Sequence, residues 1–309
     1  MPEHEDFEYE EIPLEEGIEI MNDHLQRILP SIESWYTINN TDFYFNFKTV
    51  ATVESGLYTM IYNEGNGFGI SKLNYKSDEF FHLPSLPHIQ IISDLKIFWD
   101  NIERFRTYNL TPKRGIILYG DPGCGKTSLI HLLVDELKKY DGISIYFDNP
   151  FNWVELAKLV RKVEKERPLL CIIEDLDLVI DKFGEEVFLN FLDGLNSIDN
   201  VVYVATTNNL DRIPDRIKDR PSRFDKKYKI EKPNAEDRKL YFQSILTDED
   251  KKLYDIDKLV KDTDKYTMAH LKETFISLYI LKNDYTDTIK RLKKSKIADE
   301  RIGFDLSDD

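Results

Sequence analysis

An α/β architecture is what this 309-residue chain predicts: a parallel sheet sandwiched by helices, followed by a helical bundle. Three observations carry it. The octapeptide at 120–127, GDPGCGKT, stands between a short apolar run, GIILY at 115–119, and a stretch at 126–140 whose apolar residues recur at helical spacing. Downstream, short β-branched runs alternate with helical segments, as they do where crossover helices join parallel strands. After Pro233 the apolar spacing is helical throughout.

The octapeptide fits G-x-x-x-x-G-K-[ST]. Gly120, Asp121, Pro122, Gly123, Cys124 and Gly125 form a loop whose backbone N–H groups can wrap a phosphate. Lys126 reaches the terminal phosphates, Thr127 offers a hydroxyl to Mg²⁺, and Ser128 follows in the first helical turn. A lone match to this pattern proves little, and a Gly-rich turn that binds nothing is the alternative. Strand, loop and helix in the required order make this match specific and indicate a P-loop NTPase. A triphosphate held there also meets the positive end of the following helix.

Composition limits what such a site can serve. Hydrophobic residues make up 41% and aromatic residues 12%, which suits packed domains rather than general disorder. A formal net charge of −15 disfavours a broad nucleic-acid face, which needs clustered Lys and Arg. Two cysteines, Cys124 and Cys171, form neither a disulfide framework nor a metal spacing. With no apolar run of membrane-crossing length, a soluble cytoplasmic protein in a reducing compartment is expected.

In chain order, residues 1–16 read as an acidic tail and residues 17–110 as a small N-terminal α/β domain. The nucleotide-binding domain follows at 111–233, and a helical lid with a short acidic tail at 234–309. Apolar positions at 18–29 fit an amphipathic helix ending near Pro30. Phe43–Phe47, Leu57–Asn63 and Phe68–Leu73 read as strands, with a hairpin signal at 64–67. Pro84 and Pro87 precede a helix expected over 89–105. His82 and His88 lack ligand partners at metal spacing and read as two loop histidines. Within the next domain, strands are expected at 143–147, 169–173, 201–205 and 227–230, and helices at 155–166 and 185–195. Helices at 234–246, 255–261, 267–282 and 284–296 make the C-terminal bundle. The basic cluster at 290–296, KRLKKSK, reads as a solvated helix face, with a nucleic-acid site as the alternative.

The run LLCIIED at 169–175 delivers two carboxylates, Glu174 and Asp175, to the carboxyl edge of the sheet beside the phosphate loop. One acid suits the water shell of Mg²⁺ and the other the attacking water. A buried strand and turn without catalytic role is the alternative. VVYVATTNNLD at 201–211 leads into Asn208, whose amide is placed to align that water. RPSRFD at 220–225 adds Arg220 and Arg223, planar cations that can neutralise phosphoryl-transfer charge or simply pair with Asp219 and Asp225.

With these motifs assembled, the stretch from about Arg114 to Pro233 resembles AAA+ ATPases of the AAA clade. It is similar above all to the group typified by the mitochondrial Rieske-protein translocase, without that group's transmembrane helix. The resemblance implies that Lys126 and Thr127 are Walker A residues, Glu174 and Asp175 the Walker B pair, and Asn208 sensor 1. Arg220 and Arg223 would be arginine fingers acting on a neighbouring subunit. YTMAHL at 266–271 would start the lid helix, with Ala269 against the nucleotide and Lys265 where a glycine is usual. Most of the superfamily reads Asp-Glu where this chain reads Glu174-Asp175, so turnover should survive, at a reduced rate. The resemblance implies ATP and Mg²⁺ as cofactors, a homo-oligomeric ring, a hexamer, and a protein client. A nucleotide-dependent scaffold and a nucleic-acid motor or loader are the rival readings. In threading members an aromatic loop follows the second strand, so Phe151 and Trp153 are expected either to line a channel or to anchor the next helix in the core.

Overall fold

The structure is a computed structural model that describes residues 32–37, 43–47, 52–63, 67–75, 83, 87–147, 153–194, 198–220 and 223–305. Two compact units divide between Val53 and Glu54. In the first, β1 (Ile32–Thr37) and β2 (Phe43–Phe47) pair antiparallel, with Trp35 opposite Phe45 and Tyr36 opposite Tyr44. The helix expected at 18–29 and the acidic tail at 1–16 lie outside the described residues, as do residues 306–309.

The second unit is built on a seven-stranded sheet. Its strands are β3 (Gly56–Asn63), β4 (Gly67–Lys72), β5 (Lys113–Tyr119), β6 (Ile143–Tyr146), β7 (Leu169–Ile173), β8 (Val201–Thr207) and β9 (Lys226–Lys229). They lie in the order β4-β3-β6-β7-β8-β5-β9, parallel throughout except for β4, which runs antiparallel to β3. Every residue of β7 and of β8 is buried, the expected outcome for central parallel strands covered on both faces.

Helices supply that cover. On one face α1 (His88–Asp100) and α3 (Lys126–Lys138) bring Ile91, Leu95, Phe98, Leu129, Leu133 and Leu137 against Leu170, Ile172, Val202 and Val204. Strand positions of the opposite parity belong to a different aromatic cluster. Tyr203 lies edge-on to Phe224, their ring centres 5.4 Å apart, and Phe224 stacks on Phe188 of α6 (Glu185–Gly194) at 6.5 Å. Between these helices in the chain come α2 (Ile102–Thr107), α4 (Trp153–Val163) and α5 (Leu176–Phe183). Asp94 ties α1 to the β9 edge by accepting hydrogen bonds from Lys226 Nζ at 2.6 Å and from the Tyr228 hydroxyl.

Several expectations change here. The strands at 57–63 and 68–73, assigned to a separate domain of residues 17–110, instead extend the central sheet, because β3 pairs in parallel with β6 from Gly56↔Ile143 to Thr59↔Tyr146. The single helix expected at 89–105 is two, interrupted at Asn101, whose side-chain amide donates to the Ile97 carbonyl at 2.7 Å. His88 opens α1 and is 2% exposed, so it is no loop histidine. His82 lies outside the described residues.

α7 (Asp215–Lys218) precedes β9, and the C-terminal bundle follows that strand as α8 (Ala235–Ile245), α9 (Ile256–Asp262), α10 (Met268–Phe275) and α11 (Tyr285–Asp305). Its core is its own: Tyr241, Phe242, Leu259, Tyr266, Leu271 and Leu292 are among its buried members. Side chains cap three of its helices. Asn234 accepts from Asp237 N–H in a reciprocal capping box, Asp255 from Asp257 N–H and Thr267 from His270 N–H, each cap worth about 1 kcal/mol. In the basic cluster, Arg291 pairs with Glu273 at 2.9 Å and Lys293 with Asp262 at 3.8 Å. Among the described residues no helix is long and apolar enough to cross a membrane.

Candidate functional site

The site forms where β5, β7 and β8 end side by side. β5 pairs with β8 through Tyr119↔Thr207, and β7 with β8 through Ile173↔Ala205, so the phosphate loop, the acidic turn and the Asn208 turn all emerge at one edge. Sequence alone separates these three segments by dozens of residues.

Backbone geometry explains the loop glycines. Gly120, Gly123 and Gly125 all have positive φ, at 149°, 75° and 100°. A Cβ at Gly120 would come within 2.2 Å of the Ile230 carbonyl oxygen, so the loop can pass β9 only as glycine. At Gly123 it would come within 2.9 Å of the Ala269 Cβ. Ala269 itself donates its N–H to the Gly123 carbonyl at 3.1 Å. The start of α10 therefore rests on the phosphate loop, and Lys265, where the resemblance expects a glycine, takes a left-handed φ of 58°. Lys232 adds an ion pair to Asp121 at 2.9 Å.

Lys126 is buried, and its Nζ donates to the Gly120 carbonyl at 2.7 Å, to the Asp121 carbonyl at 3.2 Å and to Asn208 Oδ1 at 2.7 Å. Burial pulls the ammonium below its ordinary pKa, with Asp175 and Asp121 among the charges that oppose the shift. Thr127 Oγ1 donates to Glu174 Oε1 at 2.7 Å. Asp175 takes a left-handed conformation, φ 49° and ψ 55°, and its N–H donates to Thr206 Oγ1 at 3.1 Å. The structure thus brings together Lys126, Thr127, Glu174, Asp175 and Asn208.

Hydroxyl and carboxylate at hydrogen-bond distance make an all-oxygen donor set, which fits Mg²⁺, a cation that is held by few protein ligands beside phosphates and water. Among the described residues no group of three or more His, Cys, Asp or Glu could hold a metal ion.

The two arginines part company. Arg220 is exposed, whereas Arg223 is 4% exposed, with Nη2 donating to Asp193 Oδ1 at 3.2 Å and Nη1 to the Arg216 carbonyl. The Arg223 carbonyl accepts from the Tyr203 hydroxyl and lies so near Gly115 that a Cβ there would meet it at 1.9 Å. Together with Lys113, Arg114, Asp193 and Asp225 the two arginines line a cavity of about 660 Å³ near the start of β5. Phe151 lies outside the described residues, and Trp153 is described only as the first residue of α4. Three residues that the sequence reading passed over complete the picture: Thr206, Thr207 and Asp177. The polar pair before Asn208 and the acid two places after Asp175 were the available signals.

Cys124 sits in the phosphate loop but is buried, and burial pushes its thiol up to about 11. Burial also raises the thiol of Cys171, inside β7. A thiol shifted to about 11 has about a hundredfold less thiolate than a free cysteine at pH 8, so alkylation of the folded chain should be slow and should quicken as pH rises toward that value. Mass spectrometry after maleimide treatment checks this: two labels on unfolded chain and none on folded chain are expected, and prompt labelling of Cys124 at neutral pH would contradict the burial.

Residues 116–232 match the family model described as ATPase family associated with various cellular activities, AAA. The chain is 29% identical over 174 residues to a Bifidobacterium dentium protein named AAA ATPase forming ring-shaped complexes, covering 48% of this chain and 33% of that one. It is 28% identical over 195 residues to a proteasome-associated ATPase of Actinosynnema mirum, covering 52% and 32%. A ring-forming AAA ATPase of Corynebacterium efficiens is 25% identical over 256 residues, covering 70% and 48%. The chain spans about a third of the length of the first two relatives and under half of the third.

Proposed function

We propose that this chain, whose residues 116–232 match the AAA ATPase family model, hydrolyses Mg²⁺-ATP and works as a ring, a hexamer, that remodels, unfolds or translocates a protein client. One observation carries the catalytic part: Lys126 reaches Asn208 at 2.7 Å while Thr127 reaches Glu174 at 2.7 Å, so four motif residues from three loops share one site. The names of ring-forming and proteasome-associated relatives support the ring and the protein client.

In this reading the loop N–H groups and the Lys126 ammonium bind the β and γ phosphates, and the ammonium exchanges its bonds to loop carbonyls for phosphate oxygens. Thr127 and Glu174 would hold Mg²⁺, which would supply positive charge against the phosphates. Asp175 accepts the proton of the attacking water and Asn208 aligns that water by hydrogen bonding. Inverted order costs little at this site, since the longer Glu174 already meets Thr127 and the short Asp175 suits a left-handed residue. The same Glu174-Asp175 order is what supports the closer likeness to the Rieske-protein translocase group. A cytoplasmic location belongs to the same proposal.

Arg220, exposed on its turn, supplies the trans-acting cation, and Arg223 holds that turn through Asp193. Mixing tests this. Chains with Arg220→Ala keep an intact phosphate site and chains with Lys126→Ala keep an intact Arg220, so mixed assemblies should regain ATPase activity that neither shows alone. No recovery in assemblies shown to exchange subunits would overturn the trans role. Stimulation of turnover by an unfolded protein supports the remodelling reading, stimulation by DNA or RNA would favour a nucleic-acid motor, and slow unstimulated turnover a scaffold.

A further inference from the structure

Two threonines that end β8 hold the loops of the site in register, and we infer that Thr207 and the buried Asp177 are positioning residues for ATP hydrolysis, acting through Asn208 and Asp175. The inference rests on the ATPase reading above. Thr207 is 0% exposed and Asp177 is 5% exposed. The Thr207 hydroxyl has two acceptors in reach, Asp177 Oδ1 at 2.8 Å and the Asn209 carbonyl at 3.0 Å. It carries one proton, and the carboxylate is the stronger acceptor. Its oxygen in turn accepts the Asn209 N–H at 3.1 Å. Asn208 is therefore clamped from both sides, by the side chain before it and the backbone after it, while its own Oδ1 takes the Lys126 ammonium.

Asp177 belongs to the first turn of α5, two residues beyond Asp175, so the same bond anchors the helix that follows the second acid. Next door, Thr206 accepts the Asp175 N–H at 3.1 Å and holds it in its left-handed conformation. Arg212 lies 3.9 Å from the other Asp177 oxygen and 2.5 Å from Asp181, which balances the charge of the buried carboxylate. Asp175, Thr206, Thr207, Asp177 and Asn208 thus form one connected set, and the last residues of a buried strand fix the spacing between base and water-aligning amide. Groups so placed matter by geometry, and a shift of about 1 Å can slow turnover about a hundredfold.

Thr207→Val removes the hydroxyl and keeps the branched shape. Steady-state ATP hydrolysis by the full chain should show kcat lowered at least about tenfold with KM for ATP within about twofold of the parent. Thr207→Ser should recover most of the loss, which a purely space-filling role would not predict. Should Thr207→Val fail to fold, the pair Thr207→Val with Asp177→Leu replaces both partners by apolar groups, and a folded but slow double variant is then expected. A Thr207→Val enzyme whose kcat stays within about twofold of the parent, or whose loss lies wholly in KM, overturns the inference. So does a kcat loss that Thr207→Ser leaves in place. A parent chain with no ATPase activity would instead overturn the reading of the site as a whole.

Discussion

Lys126→Ala should weaken ATP binding by at least about a hundredfold, or about 2.7 kcal/mol. Lys126 is the buried cation of the phosphate loop, and its ammonium is held by the Gly120 and Asp121 carbonyls and by Asn208, all within 3.2 Å. Removing it leaves the loop N–H groups and the helix N-terminus to face a triphosphate without the loop's own ammonium. Burial has already lowered the affinity of this amine for its proton, so an incoming polyanion restores what desolvation opposes. Titration with a fluorescent ATP analogue reads the loss, and a thermal melt separates it from unfolding. Binding as tight as the parent's would refute the assignment of 120–127 as a phosphate loop.

Asp175→Asn should do the opposite: ATP binding persists and turnover falls by about 10²–10⁴-fold, the range for loss of a general base. The left-handed backbone at this position makes the variant a clean one. Asn tolerates φ near 49° as well as Asp does, and the Asp175 N–H bond to Thr206 is a backbone bond that the substitution leaves intact. Asp175→Leu, by contrast, adds strain from a bulky side chain in the left-handed region and confounds chemistry with folding. Single-turnover ATP cleavage, with nucleotide retention measured on the same sample, distinguishes the cases. An Asn variant that cleaves ATP at the parent rate would remove Asp175 as the base and leave Glu174 as the candidate.

How much of this site was legible in advance depended on whether its residues lie close along the chain. GDPGCGKT carries its own conformational code, since its three glycines occupy positive φ and a Cβ at position 120 would come within 2.2 Å of a backbone oxygen. The caps of the C-terminal helices were equally local: Asn234, Asp255 and Thr267 each satisfy N–H groups two or three residues away. Glu174, Asp175 and Asn208 were found because each ends an apolar run, and a run that buried can only be an inner strand of a covered sheet. What failed was assignment across distance. The strands at 57–63 and 68–73 have the right period for a sheet, but nothing in a period of two says which sheet, and the partner of β3 proved to be β6, more than eighty residues on. Arg220 and Arg223 look alike in RPSRFD, yet only the fold buries one under Asp193 and leaves the other in water.

By itself the sequence determined the α/β class, the phosphate loop with its lysine and hydroxyl, the two acids, and the helical character of the C-terminal stretch, because each is encoded in spacing over a few turns or one strand. Tertiary structure alone decided that β3 and β4 widen the sheet, that Ala269 rests on Gly123, and that Thr206 and Thr207 fasten Asp175, Asp177 and Asn208 together. The reason is physical. Hydrogen bonds within a helix or turn depend on neighbours in the chain, whereas strand pairing and the bonds between loop ends depend on which distant surfaces exclude water together.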